Sequence, residues 1–179
     1  MEDQDPQGVA LDQDPQFAAV AQYIKDFSVE SPSAPMVFSW ASQPQLDVQF
    51  NIGVNQVADG AHEVTLRIEI KAASDQGTHF LVDLSYGGVF AMTNIPEDAR
   101  PPYLLIEAPR LLFPFARQIV AEAVQNLGFP PLLLDPIDFA GAFVAQAQAQ
   151  ADATGAGSNG GRNGGSMVTP ALTNPTVEG

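Results

Sequence analysis

Leu46-Asp47-Val48-Gln49-Phe50-Asn51-Ile52-Gly53-Val54 and, past Asp59-Gly60, Val64-Thr65-Leu66-Arg67-Ile68-Glu69-Ile70-Lys71-Ala72 alternate apolar and polar side chains. Successive side chains of a strand point to opposite faces, so each run has one face to bury and one to wet. The Asp-Gly pair between the runs has the composition of a tight hairpin turn. A third run sets Phe80, Val82, Leu84 and Tyr86 against His79, Leu81, Asp83 and Ser85, and Asp75-Gln76-Gly77 reads as the turn before it. Gly87-Gly88 reads as its end. These three runs predict an antiparallel meander with one apolar and one acid-weighted face. A noisier run upstream places Phe27 and Val29 on one side and Asp26, Ser28 and Glu30 on the other, with 17–22 also passing as helix on propensity.

Helical periodicity follows the strands. Phe113, Ala116, Ile119, Val120, Ala123, Val124 and Leu127 recur at spacings of three and four, with Gln118, Glu122 and Gln125 opposite. Pro114 is read in the first turn of this helix, where a missing N–H has no partner to lose. Gly128 falls where a left-handed cap would close it. A second helix is expected from near Pro136, with Phe139 and Phe143 on one face and fraying turns over 145–150. Strands grouped before helices predict an α+β fold, a four-stranded antiparallel sheet with two helices packed on its apolar face. Between the helices, Phe129-Pro130-Pro131-Leu132-Leu133-Leu134 is apolar yet non-helical because of its adjacent prolines. Core burial, a second subunit or a binding groove can each cover such a loop.

Composition narrows the function. With 21 acids against 7 bases the 179-residue chain carries a net charge of -14. Nucleic acid and anionic membrane would be repelled, and a basic docking partner is favoured. There is no cysteine, hence no disulfide framework or thiolate metal site, which suits a reducing cytosol. The acidic start Met1-Glu2-Asp3-Gln4-Asp5 does not resemble a signal peptide, and no apolar run approaches membrane-spanning length. The expectation is a soluble intracellular protein. Residues 1–16 read as a disordered acidic arm, 17–150 as the folded domain, and the Gly/Ala/Asn-rich 151–179 as a flexible tail.

Four strings, taken in order, resemble the SecB family of protein-export chaperones. Tyr23-Ile24-Lys25-Asp26-Phe27-Ser28-Val29-Glu30-Ser31-Pro32-Ser33-Ala34-Pro35 resembles its first strand and following loop. Gly87-Gly88-Val89-Phe90 resembles the end of its last strand, and Leu112-Phe113-Pro114-Phe115-Ala116-Arg117 the start of its long helix. Phe129-Pro130-Pro131-Leu132-Leu133-Leu134-Asp135-Pro136-Ile137-Asp138-Phe139 resembles its helix connection. The likeness is collinear over roughly residues 17–150. It implies a cytoplasmic holdase without ATPase activity or cofactor, which binds unfolded precursor proteins and delivers them to the motor SecA. It also implies a homotetramer, a dimer of dimers with helices sandwiched between two eight-stranded sheets.

The resemblance assigns candidate sites. Asp26, Glu30, Leu81 and Asp83 match the family's SecA-docking surface; acids on a wet sheet face also simply keep it soluble. Phe38, Trp40, Phe129, Leu132, Leu133 and Leu134 match its client groove, and each could instead pack the core. Val82, Leu84 and Tyr86 match positions that support the tetramer, or belong to the protomer core. Some family tails engage the zinc-binding end of SecA; residues 151–179 hold one base, Arg162, and depart from that pattern.

Phosphate loop, dinucleotide fingerprint and nucleophile elbow are all absent from the sequence. The two histidines, His62 and His79, read as surface residues, not metal ligands. A rival from another class is a small-ligand or isomerase-like domain with an apolar pocket, for which Asp47 and His79 are the catalytic candidates. Both fall on the predicted wet face, which speaks against a desolvated site.

Overall fold

The computed structural model describes residues 14–155. Four long strands, β1 (Gln16–Glu30), β2 (Gln45–Ala58), β3 (Ala61–Ser74) and β4 (Gly77–Thr93), form one antiparallel sheet in the order β1-β4-β3-β2. The meander is as expected, and β1 returns to pair with β4. Gly60, at φ 68, makes the turn between β2 and β3. The register places Val64, Leu66, Ile68, Ile70 and Ala72 opposite Gly88, Tyr86, Leu84, Val82 and Phe80. These rows form the helix-facing side. Leu66, Ile68 and Leu84 are fully buried there, each worth about 1.5–3 kcal/mol of hydrophobic transfer.

Gly87-Gly88 does not end β4, which runs on to Thr93. The glycines mark close approach instead. A Cβ on Gly88 would stand 2.9 Å from Leu112 Cδ2 and 3.2 Å from the Ala21 carbonyl oxygen; one on Gly87 would meet the Tyr23 ring at 3.0 Å.

The helical layer starts earlier than the sequence suggested. A 3-10 turn (Glu97–Ala99), a short helix α1 (Arg100–Pro102) and a π-helical turn (Tyr103–Glu107) lead without a break into α2 (Ala108–Asn126). Pro114 therefore lies inside α2, not in its first turn. The carbonyl that its missing N–H leaves free belongs to exposed Arg110, where solvent can satisfy it. Leu112, Phe113, Ala116, Val120 and Val124 of α2 join the core against the sheet. Gly128, at φ 91, closes α2: its N–H reaches the Gln125 carbonyl, and the Phe129 N–H reaches the Val124 carbonyl.

The last helix, α3 (Phe139–Gly155), begins three residues after Pro136. Asp138 sets the start, its Oδ1 accepting the Gly141 N–H at 3.0 Å. The expected arm (1–16) and tail (151–179) lie largely outside the described residues. Where they overlap, β1 already begins at Gln16 and α3 continues to Gly155.

Candidate functional site

The outer face of the sheet is one surface with chemistry on it. Across β1 and β4, Asp26 faces Ser85, Ser28 faces Asp83 and Glu30 faces Leu81. Lys71 and Glu69 of β3 lie opposite Leu81 and Asp83, and Asp47 and Gln49 of β2 lie beyond them. A shallow open groove of about 420 Å³ crosses these rows. Asp26, Glu30, Leu81 and Asp83 thus share one face, with Leu81 half-buried among acids.

One of those acids is neutralised. Arg67 donates from Nε to Asp83 Oδ1 at 3.0 Å and from Nη2 to Oδ2 at 2.6 Å. It also lies 3.1 Å from Glu69. The hydrogen-bonded guanidinium holds the Asp83 carboxyl below the usual carboxylate range. The pairing depends on the β3–β4 register, so spacing along the chain gives no signal of it.

Further along the same face is a cluster that the sequence did not reveal. Glu63 is buried, accepting from Tyr23 Oη at 2.6 Å and Lys25 Nζ at 2.7 Å. The Lys25 and then the Tyr23 hydrogen bond hold its carboxyl below the ordinary range against the effect of burial. Tyr23 is pushed up to about 12, chiefly by its bond to Glu63. Edge strand β1 is thereby tied across β4 to β3, and Gly87 leaves room for the phenol ring.

A second surface is an apolar groove of about 480 Å³ between the β1–β2 crossover segment and the α2–α3 connection. Phe38, Trp40, Phe129 and Leu132 line it together with His79 and Phe80. The Phe129 ring lies 5.5 Å from Phe38 and 5.1 Å from Phe80, and Trp40 stands edge-on to His79 at 5.0 Å.

Two residues of the expected groove lie elsewhere. The connection after Pro130-Pro131 has no regular secondary structure, and its three leucines go to different places. Leu132 faces the groove, Leu133 is 64% exposed and lines a separate hollow beside α2, and Leu134 is buried in the core. Val82, Leu84 and Tyr86 are likewise enclosed by their own chain.

Both histidines are buried, not on the surface. His79 leaves the wet face because of a bulge: Ala73 pairs with Thr78 and Ala72 with Phe80, so His79 is the extra residue and alternation breaks there. Asp47 lines the outer groove and His79 the apolar one, so the two are not brought together.

Among the described residues no group of His, Cys, Asp or Glu could hold a metal ion, and no helix is long and apolar enough to cross a membrane. One chain also leaves apolar surface uncovered. Ile24 is 48% exposed beside its register partner Tyr86, and Phe115, at 50%, stacks on that same Tyr86. Phe27 and Leu111 are exposed too.

A sheet buried on one side, an open apolar groove and an acid-weighted outer face make this a binding protein, built to associate with other chains. Comparison with known proteins gives its kind. The family model described as "Preprotein translocase subunit SecB" matches residues 10–150. A relative from Sphingopyxis alaskensis, "Protein-export protein SecB", is 51% identical over 138 residues, covering 77% of this chain and 80% of the relative. The proteins of that name from Zymomonas mobilis (49% identity, 75% and 82% covered) and Erythrobacter litoralis (46%, 82% and 83%) agree. The solved SecB-like chaperone of Mycobacterium tuberculosis, in complex with an antitoxin peptide, shares the fold at a TM-score of 0.55 and 17% identity, covering 68% of this chain and 90% of that one. The chain belongs to the SecB family: it is a protein-export chaperone and not an enzyme.

Proposed function

We propose that this chain works in the cytoplasm as an ATP-independent holdase, seating unfolded precursor proteins in the groove between crossover segment and helix connection. It keeps them translocation-competent and hands them to SecA. The observation that carries this reading is the groove itself: open, about 480 Å³, and lined by Phe38, Trp40, Phe129 and Leu132. Clients that share hydrophobicity but no sequence need apolar surface of this adaptable kind. Weak local contacts add up when one long chain wraps several grooves of an oligomer. Ile24, Phe27, Leu111 and Phe115 supply the surface for assembly into the homotetramer. Val82, Leu84 and Tyr86 support it from beneath, through the packing of Tyr86 under Ile24 and Phe115.

SecA docks on the outer face, where Leu81 is the apolar anchor and Asp26 and Glu30 carry more of the free negative charge than the paired Asp83. Handover follows from competing affinities, with no hydrolysis on this chain. Crosslinking from a photoreactive group at Leu132 to a denatured client, with the same group at Leu133 as comparison, tests the groove. Labelling should favour 132, and equal labelling at both sites defeats the assignment. For docking, Asp26→Lys with Glu30→Lys should weaken SecA binding at least tenfold while mass by light scattering is unchanged; undiminished affinity removes that surface.

A further inference from the structure

Where the crossover segment meets the β3–β4 turn, one aromatic ring is held from two sides. Trp40, the chain's single tryptophan, sets its ring against His79 at an interplanar angle of 76°. Beneath it is Gly77, at φ 141, where an added Cβ would stand 3.0 Å from Trp40 Cη2. Hydrogen bonds secure the same segment: Ser31 Oγ donates to the His79 carbonyl at 2.8 Å, and the Ser42 N–H to Gln76 Oε1 at 3.4 Å. His79 is 4% exposed, with Nε2 2.9 Å from Ser74 Oγ. It is the one titratable side chain among the residues lining the groove.

We propose that His79 is a positioning residue for client capture: its ring is the wall against which Trp40 stands at the mouth of the groove. This deepens the holdase reading above and rests on it. The contribution is the ring, whose edge-to-face contact fixes the indole. Removing the ring leaves a space beside Trp40 into which the indole can turn, and the groove then loses part of its apolar wall. The Ser74 bond orients the imidazole and is secondary. Gly77 belongs to the same seat, since a side chain there would push the indole away. A histidine at this place was legible in the sequence only as a wet-face residue, because the bulge that brings it inward has no signature in the alternation.

The test separates ring from hydrogen bond. His79→Ala loses both, His79→Phe keeps a ring, and His79→Gln keeps a hydrogen-bonding group without one. Affinity for reduced, alkylated α-lactalbumin, a permanently unfolded probe, should fall about 3- to 10-fold in His79→Ala. His79→Gln should fall similarly and His79→Phe should return to wild type. Without client, Trp40 emission should shift to the red and its quenching by acrylamide rise in the Ala and Gln variants only. Mass by light scattering identifies any variant that has lost its assembly; if His79→Ala has, the Phe and Gln pair decides. Recovery by Gln and not Phe overturns the proposal, as do three variants that bind and emit like wild type. A wild-type chain with no affinity for the probe overturns the holdase reading itself, a result distinct from wild-type binding with unaffected variants.

Discussion

Glu63 is a buried acid on an otherwise wet face, and Lys25 and Tyr23, its strongest donors, decide what it does. Because Lys25 and Tyr23 hold its carboxyl below the ordinary range, the unfolded chain binds a proton there more readily than the folded one. The resulting stability is present above about pH 4.3, the ordinary glutamate value, and is lost as pH falls further. Tyr23 works in the other direction. Its phenol is raised to about 12, so its share is present below about pH 10 and lost as pH climbs toward the raised value. Glu63→Gln should cost about 1.5–3 kcal/mol at neutral pH, the range for a hydrogen bond to a charged group. It should also flatten the acid limb of stability. Urea midpoints of both proteins between pH 3 and 9 check this, and parallel curves would refute it. Gly88 poses a steric case. Its Cβ would press on Leu112, Phe90 and the Ala21 carbonyl together, and the backbone atom cannot swing aside. Gly88→Ala should therefore destabilise by about 1–3 kcal/mol, measured by the same denaturation.

Elements were legible where one signal governs them. Alternation gave the strands and their faces, since a half-buried strand can satisfy both of its faces in no other way. Gly128 gave the end of α2, because few residues besides glycine accept its φ of 91. The failures share a cause: a residue type with two meanings. Gly87-Gly88 has the composition of a break, but tertiary packing uses the missing Cβ atoms inside β4. Pro114 has the composition of a helix start, but the carbonyl it leaves free belongs to exposed Arg110, which makes it tolerable within α2. Leu132, Leu133 and Leu134 are chemically one run, and only the path of the folded chain divides them among groove, surface and core. That Asp26, Glu30, Leu81 and Asp83 share the outer face was legible from parity, whereas the Arg67–Asp83 pair needed the register. The start of α3 gives an element-scale prediction. Asp138 caps the Gly141 N–H, so Asp138→Ala should destabilise that helix by about 1 kcal/mol. Amide exchange should speed up in the first turn of α3 and stay unchanged in β3. Uniform protection in both would mean that the cap contributes nothing.

At the scale of the whole molecule, apolar residues that core packing does not explain cluster on the helix-facing side near β1. Ile24 lies opposite Tyr86 in the register, Phe115 of α2 stacks on the Tyr86 ring, and Leu111 lies one helical turn before Phe115. Exposed aromatic and aliphatic groups gathered in this way mark an interface. Phe115 is half exposed, so a substitution there acts on association more than on the fold. Phe115→Glu would set a carboxylate against apolar surface in every copy of a symmetric contact, and burying it unpaired costs several kcal/mol at each repeat. The proposed tetramer should dissociate to smaller species that keep native circular dichroism, with mass by light scattering falling to half or less. Binding of a short unfolded peptide to a single groove should persist, because Phe115 does not line it. Capture of a long denatured chain should weaken at least tenfold, since it depends on several grooves held together. If the mass falls while long clients are held as tightly as before, the grooves act singly, and wrapping has no part in how this chaperone holds its cargo.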